Sequence, residues 1–338
     1  MTSEKAAAAH SYRLATYVGA DGEPRAGLVI DDRVIDAATA LERNGAARSG
    51  SQSNVLGLLC AWDEMHPRFK AVARDVRARG ASYGHGASYV RGDSYESRPL
   101  SGVTLLAPIL FPGTIFCAGA NYRDHVEEMS KALNLPPEPD PHELGLKPWH
   151  FIKASAPCIR GPGAKITLPT YSSRVDWEAE IAVVIGRECR NVALDQALDY
   201  VAGVTVVNDL SARDHLRRKH VATDSPFHFD WVSQKCFDGA LPMGPWICPM
   251  EEIEDLSKLA IKLWVNEDLM QDSSSSHLIF SVAEQIAHLS TRLTLRPGDV
   301  IATGTPAGCG AARGRFLKAG DRVRVWVETV GEITSTFA

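Results

Sequence analysis

Residues 176–186 read DWEAEIAVVIG, a pair of glutamates followed directly by five apolar residues. A short apolar run predicts a buried strand, and side chains alternate along a strand, so Glu178 and Glu180 point to one face. Two carboxylates in such a place repel each other and lose hydration, unless one stays protonated or a cation compensates. A hard divalent ion with oxygen ligands is the natural compensator. A solvated strand face is nevertheless the commoner setting for an isolated Glu-x-Glu pair.

A third carboxylate follows another predicted strand. Residues 204–214 read VTVVNDLSARD, in which a strand of buried character ends in a polar cluster at Asp209. Taken alone, Asp209 is better interpreted as a helix N-cap with a local salt bridge to Arg213. Together with Glu178 and Glu180 it completes three oxygen ligands, which suit Mg²⁺, Mn²⁺ or Ca²⁺. Zinc fits less well, because no His or Cys is spaced to join these residues.

An acid–base candidate lies earlier, in residues 119–129, which read GANYRDHVEEM. Here a strand gives way to a helix on which His125 and Glu128, three residues apart, face the same way. A carboxylate beside an imidazole raises the pKa of the histidine and orients its ring, so the pair suits a general base acting through water. An exposed helix with ordinary polar pairs is the alternative.

A lone lysine and a glycine-rich loop complete the set of candidate features. Lys235 lies in an apolar context, where it could stabilise a developing oxyanion or extend its charged end to the surface. Residues 302–310 read ATGTPAGCG and follow a predicted strand. This loop lacks the lysine of a P-loop and the spacing of a dinucleotide site. Its backbone N–H groups and the Thr305 hydroxyl could instead hold a substrate carboxylate or carbonyl.

The pattern of apolar residues predicts two parts, 1–100 and 101–338, of which the first is a small α/β domain. Its predicted elements are strands at 12–18, 26–30 and 33–35, a helix capped by Asp36, a helical stretch at 55–79 broken or kinked near Pro67, and a linker rich in Gly, Ser and Tyr at 80–98. The second part has many short strands and few helices, one of them opened by a capping box of Ser281 and Glu284. The prediction is an α+β, β-rich fold with a rolled or barrel-like sheet.

Residues 131–148 stand out because they contain five prolines and several charges. The segment is too long and irregular for a simple turn. It is either a surface excursion without a role or a lid, since it directly follows the acid–base candidates.

Composition argues for an ordinary globular chain. The 338 residues carry a net charge of −5 with scattered basic residues, which does not suggest nucleic acid as a partner. No apolar run has membrane-spanning length, and the polar stretch 1–10 reads as a frayed tail rather than a signal peptide. Seven cysteines, an odd number without a C-x-x-C pair, favour buried thiols in a reducing compartment. We therefore expect a cytoplasmic protein.

Taken in order, several motifs resemble those of the fumarylacetoacetate hydrolase family. The matching stretches are NYRDHVEEM, VDWEAEIAVVIG, VVNDLSARD, Lys235 with Phe237-Asp238, FSVAEQIAHLS and LRPGDVIATGTPAGCG. The resemblance covers roughly residues 101–338, and the first hundred residues are similar to the variable N-terminal domain of bacterial members. It implies a β-rich roll, a homodimer and a lid around His125, which favours the lid interpretation of residues 131–148.

The resemblance also implies roles for individual residues. Glu178, Glu180 and Asp209 would be ligands of Mg²⁺ or Mn²⁺, with Ca²⁺ as a further candidate. His125 and Glu128 would activate water, and Lys235 would stabilise the enolate leaving group. The implied substrate contacts are Tyr122, Arg213, Gly304 and Thr305.

These roles imply hydrolysis of a carbon–carbon bond in a 2,4-diketo acid, an acylpyruvate or a relative of fumarylpyruvate, through a metal-stabilised enolate. Such an enzyme would act in the catabolism of aromatic compounds or sugar acids. The alternatives are an oxaloacetate decarboxylase or a 2-oxo-acid tautomerase on the same metal site and, more remotely, a non-catalytic metal-binding relative. Many members have a glutamine where this chain has Leu216, which is followed by the basic residues 217–219. That cluster suggests either a second negative group on the substrate or a solvated loop.

Overall fold

The computed structural model describes residues 12–47, 49–80 and 95–338. The predicted N-terminal tail and most of the predicted linker at 80–98 lie outside the described residues. Helices and strands alternate irregularly, with sheet strands in the majority, so the expected β-rich α+β class is confirmed.

The N-terminal part forms an antiparallel set of strands covered by helices. Its elements are β1 (Arg13–Val18), β2 (Pro24–Ile30), β3 (Arg33–Asp36), α1 (Ala37–Arg43), α2 (Val55–Leu59), α3 (Trp62–Gly80) and β4 (Ser97–Pro99). The Asp36 side chain accepts the Thr39 N–H at the start of α1, as the sequence predicted. The prediction of a helix break near Pro67 is wrong, because the break falls at residues 60–61 and Pro67 lies inside α3, whereas the alternative of a kink there stays a prediction. Helix α3 continues through this position although Pro67, which has no N–H, cannot donate to the carbonyl of Asp63 four residues earlier.

The remainder of the chain contains fifteen strands and five helices among the described residues. The strands are β5 (Leu105–Leu106), β6 (Ile115–Ala118), β7 (His150–Lys153), β8 (Ile159–Arg160), β9 (Lys165–Ile166), β10 (Val175–Asp176), β11 (Ala179–Ile185), β12 (Val201–Asn208), β13 (Ser211–Ala212), β14 (Leu241–Pro249), β15 (Ala260–Val265), β16 (Asp268–Ser274), β17 (Val300–Ala302), β18 (Arg322–Val327) and β19 (Gly331–Phe337). The helices are α4 (Arg123–Ala132), α5 (Ser155–Cys158), α6 (Trp231–Lys235), α7 (Val282–Arg292) and α8 (Gly310–Arg313). The predicted capping box of Ser281 and Glu284 opens α7.

Most strands belong to one large sheet of twelve strands. Its order is β4-β3-β2-β1-β14-β12-β11-β17-β6-β7, with β5 beside β1 and β8 beside β14. Within the described residues its end strands β4 and β7 do not meet, so the sheet stays open and does not close into a barrel. A second sheet, β16-β15-β18-β19-β9, and the short pair β10-β13 complete the architecture.

The two predicted parts share this sheet, because β1 pairs antiparallel with β14. Buried apolar side chains from both parts also form one continuous cluster. The domain boundary near residue 100 stays a prediction from the pattern of apolar residues in the sequence.

Strand β11 lies in the middle of the sheet, between β12 and β17, and every one of its residues is buried. Burial on both faces explains its continuous apolar run. Its register with β12 places Ala179 opposite Asn208. The start of β11 and the end of β12 therefore lie side by side, and this arrangement creates the candidate site.

Residues 133–149 leave the end of α4 and return at β7. The His142 ring packs against Phe280 and its Nε2 lies 2.8 Å from Glu284 Oε1, so the segment contacts the start of α7. The lid role of this segment stays a prediction.

Among the described residues, no helix is long and apolar enough to cross a membrane.

Candidate metal centre

Glu178, Glu180 and Asp209 meet where β11 begins and β12 ends. The Asp209 N–H donates to the Glu178 carbonyl over 2.9 Å, which brings the two chain segments together. Each of the three residues offers a carboxylate oxygen within 4.8 Å of the others. All three are buried, at 6%, 1% and 1% exposure respectively. The sequence-based grouping of these residues is therefore present in the fold.

Cationic side chains neutralise two of the three carboxylates. Lys235 Nζ lies 3.0 Å from both Glu178 oxygens and 2.6 Å from Asp209 Oδ2. Arg213 Nη2 forms an ion pair with Glu178 Oε1 at 2.8 Å, without hydrogen-bond geometry. Burial opposes ionisation of Glu178, but Lys235 and then Arg213 outweigh it and lower the pKa of Glu178 to about 2. Glu178 is therefore a carboxylate at neutral pH.

Among the described residues, no cationic side chain forms an ion pair with Glu180. Its Oε2 accepts the Gly304 N–H over 2.8 Å, while its Oε1 is buried and has no hydrogen-bond partner in the described part of the chain. Burial, followed by repulsion from Asp209 and Glu178, raises the pKa of Glu180 well above its usual value. A buried, unpartnered carboxylate oxygen facing like charges is costly unless a cation joins it.

These donors fit a hard divalent cation. Three carboxylate oxygens without imidazole or thiolate form a ligand set of the kind used for Mg²⁺, Mn²⁺ or Ca²⁺. Glu178, Glu180 and Asp209 would hold the ion, and Glu180 Oε1 would gain the partner that the protein does not supply.

The glycine-rich loop after β17 holds the protein's own carboxylates. Besides the bond from Gly304 to Glu180, Gly308 N–H donates to Glu128 Oε2 over 2.7 Å. The N–H groups of Gly310 and Ala311 donate to the two oxygens of Asp176 over 2.7 and 3.0 Å. The sequence had suggested that these N–H groups could bind a substrate carboxylate. In the fold they instead fix acidic side chains around the centre.

Gly304 and Thr305 form hydrogen bonds with other residues of the protein. The Gly304 N–H is used by Glu180, and the backbone there has φ of +105°, which favours glycine. The Thr305 hydroxyl donates to the Ala179 carbonyl and accepts from Gln271 Nε2, each over 2.9 Å. The predicted contact of these two residues with substrate stays a prediction. Both residues shape the start of β11.

His125 and Glu128 lie on α4 but are not hydrogen-bonded to each other, since Glu128 turns to Gly308. The His125 side chain is partly exposed, yet its Nδ1 is buried and has no hydrogen-bond partner among residues 12–47, 49–80 and 95–338. Burial, and then the charge of Arg213, lowers the pKa of His125 to about 4. The expected raised pKa is therefore wrong. A neutral imidazole is nevertheless the form that can accept a proton.

Tyr122 and Arg213 adjoin the same centre. The Tyr122 hydroxyl is buried and has no hydrogen-bond partner in the described part of the chain, and burial followed by the charge of Glu180 raises its pKa. Arg213 Nε donates to Asp176 Oδ2 over 2.8 Å, so its guanidinium bridges Asp176 and Glu178. Their predicted contact with substrate stays a prediction.

Sequence reasoning missed two charged residues of the centre, Asp176 and Lys153. Asp176 is fully buried and accepts from Arg213 and the loop. Lys153 is buried beside Asp209. A lysine at the end of the apolar run 151–153 was the available signal, of the same kind as the one that singled out Lys235.

Known proteins resemble this chain over most of its length. The family model described as fumarylacetoacetate (FAA) hydrolase C-terminal matches residues 114–338. An oxaloacetate tautomerase, mitochondrial fahd2 of Xenopus laevis, is 39% identical over 237 residues, which are 70% of this chain and 68% of that protein.

Solved structures share the fold. Maleylpyruvate hydrolase from Sphingobium sp. SYK-6, in complex with manganese(II) and pyruvate, has a TM-score of 0.68 and 28% identity, covering 96% of this chain and 98% of that one. A 5-carboxymethyl-2-hydroxymuconate delta-isomerase from Mycobacterium smegmatis has a TM-score of 0.65 and 27% identity, covering 96% and 99%.

Proposed function

Because this chain belongs to the fumarylacetoacetate hydrolase family, we propose that it is a metal-dependent hydrolase that cleaves a carbon–carbon bond in a 2,4-diketo acid. The observation that carries the proposal is the neutral imidazole of His125, whose Nδ1 has no partner among the described residues, together with the three clustered carboxylates, of which Glu178 acts on the pKa of His125. A base and a site for a divalent cation are the two components that such a reaction needs. The solved maleylpyruvate hydrolase with manganese and pyruvate supports the substrate class.

The overall reaction adds water across one bond. A 2,4-diketo acid and water give a carboxylic acid and pyruvate. His125 Nδ1 accepts a proton from the attacking water, whose oxygen bonds to the 4-carbonyl carbon. The C3–C4 bond then breaks, its electron pair forms the enolate of pyruvate, and a proton returned to C3 completes the product. The divalent cation, when bound, supplies positive charge to the oxygens of the keto acid.

Lys235 provides a fixed positive charge for the enolate. Burial opposes its ionisation, but Asp209 and then Glu178 raise the pKa of Lys235 above its ordinary value, so it stays an ammonium. Its charge is also held against the Phe151 ring, 4.7 Å from Nζ to the ring centre. A preorganised cation in a dry site stabilises developing negative charge without reorganisation.

Tautomerisation of a 2-oxo acid is the second candidate function, supported by the 39% identical tautomerase. It needs the same base and the same enolate stabilisation but no attacking water. Decarboxylation of oxaloacetate would give the same enolate by loss of CO₂.

The purified protein with Mg²⁺ or Mn²⁺, assayed against acylpyruvates and oxaloacetate, tests these alternatives. Hydrolysis predicts loss of the diketone absorbance with release of pyruvate. A tautomerase would change the enol absorbance of oxaloacetate without releasing pyruvate, and a decarboxylase would release pyruvate and CO₂. Absence of any EDTA-sensitive turnover would contradict the proposal as a whole.

A further inference from the structure

A second lysine, Lys153, reaches the carboxylates from a different side of the site. It is the last residue of β7, and its side chain is completely buried. Its ammonium contacts Asp209 Oδ1 and donates to the Leu210 carbonyl over 2.9 Å. Burying a lysine is expensive unless its charge is paired and its protons are bonded, and both acceptors come from the segment that follows β12.

Asp209 is therefore held between two ammonium groups. Lys153 takes Oδ1 while Lys235 takes Oδ2 at 2.6 Å, so each carboxylate oxygen has its own cationic donor. Two donors on opposite oxygens fix the rotation of the carboxylate about its last bond. That rotation decides which lone pairs of Asp209 face Glu178 and Glu180.

Hydrogen bonds of the Cys236 thiol also link the two segments that carry these lysines. The thiol of Cys236, the residue after Lys235, accepts the Ala154 N–H over 3.4 Å. The same thiol donates to the Ile152 carbonyl, with 3.9 Å between sulfur and oxygen. These contacts flank Lys153 on both sides. On the same face of β7 as Lys153, Phe151 packs against the Lys235 ammonium. Strand β7 and the end of α6 thus act as one support for Asp209.

We infer that Lys153 is a positioning residue, which orients Asp209 for binding of a divalent cation. This inference rests on the proposed function only in that it takes Glu178, Glu180 and Asp209 as the ligands. Residues that bond to a metal ligand from outside commonly contribute 10- to 100-fold to metal affinity. Orientation and charge oppose each other here, because a positive charge beside a ligand repels a metal cation while fixing the ligand's geometry.

The sign of the effect separates these two contributions. In Lys153→Met, Asp209 keeps the Lys235 contact but loses the donor on Oδ1. If orientation dominates, the variant binds Mn²⁺ roughly 10- to 100-fold more weakly than the wild type in isothermal titration calorimetry. If Lys153 acts only as a repelling charge, Mn²⁺ binds more tightly, which would overturn the inference. Unchanged affinity with a lowered melting temperature would reduce Lys153 to a structural role and overturn it as well.

Lys165→Met is the matched control, since Lys165 is an exposed lysine at the start of β9. Its Mn²⁺ affinity should equal that of the wild type. If Lys153→Met does not fold, as judged by circular dichroism, Lys153→Leu replaces it, because leucine also removes the donor on Oδ1, and the same three outcomes apply. Failure of the wild type itself to bind Mn²⁺ would instead contradict the metal assignment, so the two failures are distinguishable.

Discussion

The Gly308 N–H donates to Glu128 Oε2 over 2.7 Å, and this bond ties α4 to the loop that also holds Glu180 and Asp176. Glu128 is thereby drawn away from His125, the residue it was expected to assist. The helix that carries His125 is positioned by the same loop that positions a candidate metal ligand. Movement of this loop would therefore displace the base and the metal site together.

Replacement of Glu128 tests this docking role. Glu128→Gln keeps an oxygen that can accept the Gly308 N–H, whereas Glu128→Ala removes it, so we expect kcat/KM to fall much further in the alanine variant. Steady-state kinetics on the best substrate found for the wild type would measure both values. Equal losses of about 100-fold or more in the two variants would instead indicate that the negative charge itself takes part in the proton transfer.

Replacement of His125 separates chemistry from metal binding. His125→Ala removes the proposed base, so we expect turnover to fall by about 10²- to 10⁴-fold. Since His125 is not among the three clustered carboxylates, Mn²⁺ affinity should change little when measured by calorimetry. A variant with an unaffected rate would remove His125 from the role of base.

Replacement of Glu180 should have opposite effects on the two states of the protein. Without a metal, Glu180 is a buried carboxyl group whose pKa is raised by burial and by Asp209 and Glu178. A group with a raised folded-state pKa loses its contribution to stability as pH rises through that pKa. Glu180→Gln avoids this loss, so at pH 8 the melting temperature of the metal-free variant should equal or exceed that of the wild type.

In the same variant, the rise in melting temperature caused by Mn²⁺ should disappear, because an amide is a much weaker ligand than a carboxylate. The measurement is thermal denaturation with and without Mn²⁺ at about 1 mM, a concentration chosen to saturate a weak site. Glu188→Gln, at an exposed position, is the control. An undiminished Mn²⁺ effect in Glu180→Gln would contradict the ligand assignment.

His150 predicts acid sensitivity of the folded state. Burial, only partly offset by Gln285, lowers the pKa of His150 to about 4. The unfolded chain binds this proton near pH 6.5 and the folded chain near pH 4, so stability is full above about pH 6.5 and is lost as pH falls toward 4. His150→Gln should remove about 1–3 kcal/mol of this loss. Urea unfolding of the metal-free wild type and variant between pH 4.5 and 7.5 (roughly the window in which His titrates) measures this loss. As pH is lowered, the free energy of unfolding should fall more for the wild type than for the variant. Equal falls in the two proteins would contradict the assignment.

The local pattern of the sequence was enough to predict β11 with Glu180 in it and Glu178 directly before its first residue. Alternation along a strand depends only on neighbouring residues, and the end of β12 follows from its apolar run in the same way. The pattern could not reveal which segments, distant in sequence, lie beside these two strands. Lys153 reaches Asp209 across 56 positions of sequence, and Asp176 meets Gly310 across 134.

The pKa of His125 could not be predicted for the same reason. Its direction depends on burial and on Arg213, which is remote in sequence, whereas the neighbouring carboxylate of Glu128 is engaged elsewhere. The helix break was likewise predicted near Pro67 and not at residues 60–61, where it lies. A proline marks where a helix is disfavoured and not where tertiary packing turns the chain.

The pairing of β1 with β14 has a consequence for any shortened form of the chain. On its other side, β14 is hydrogen-bonded to β12, whose end presents Asp209. A polypeptide beginning at residue 101 would leave β14 without its β1 neighbour at Ile247, as an edge open to strand addition from another molecule. Self-association would then begin one strand away from the carboxylates, and we expect the shortened polypeptide to be less soluble than the full chain.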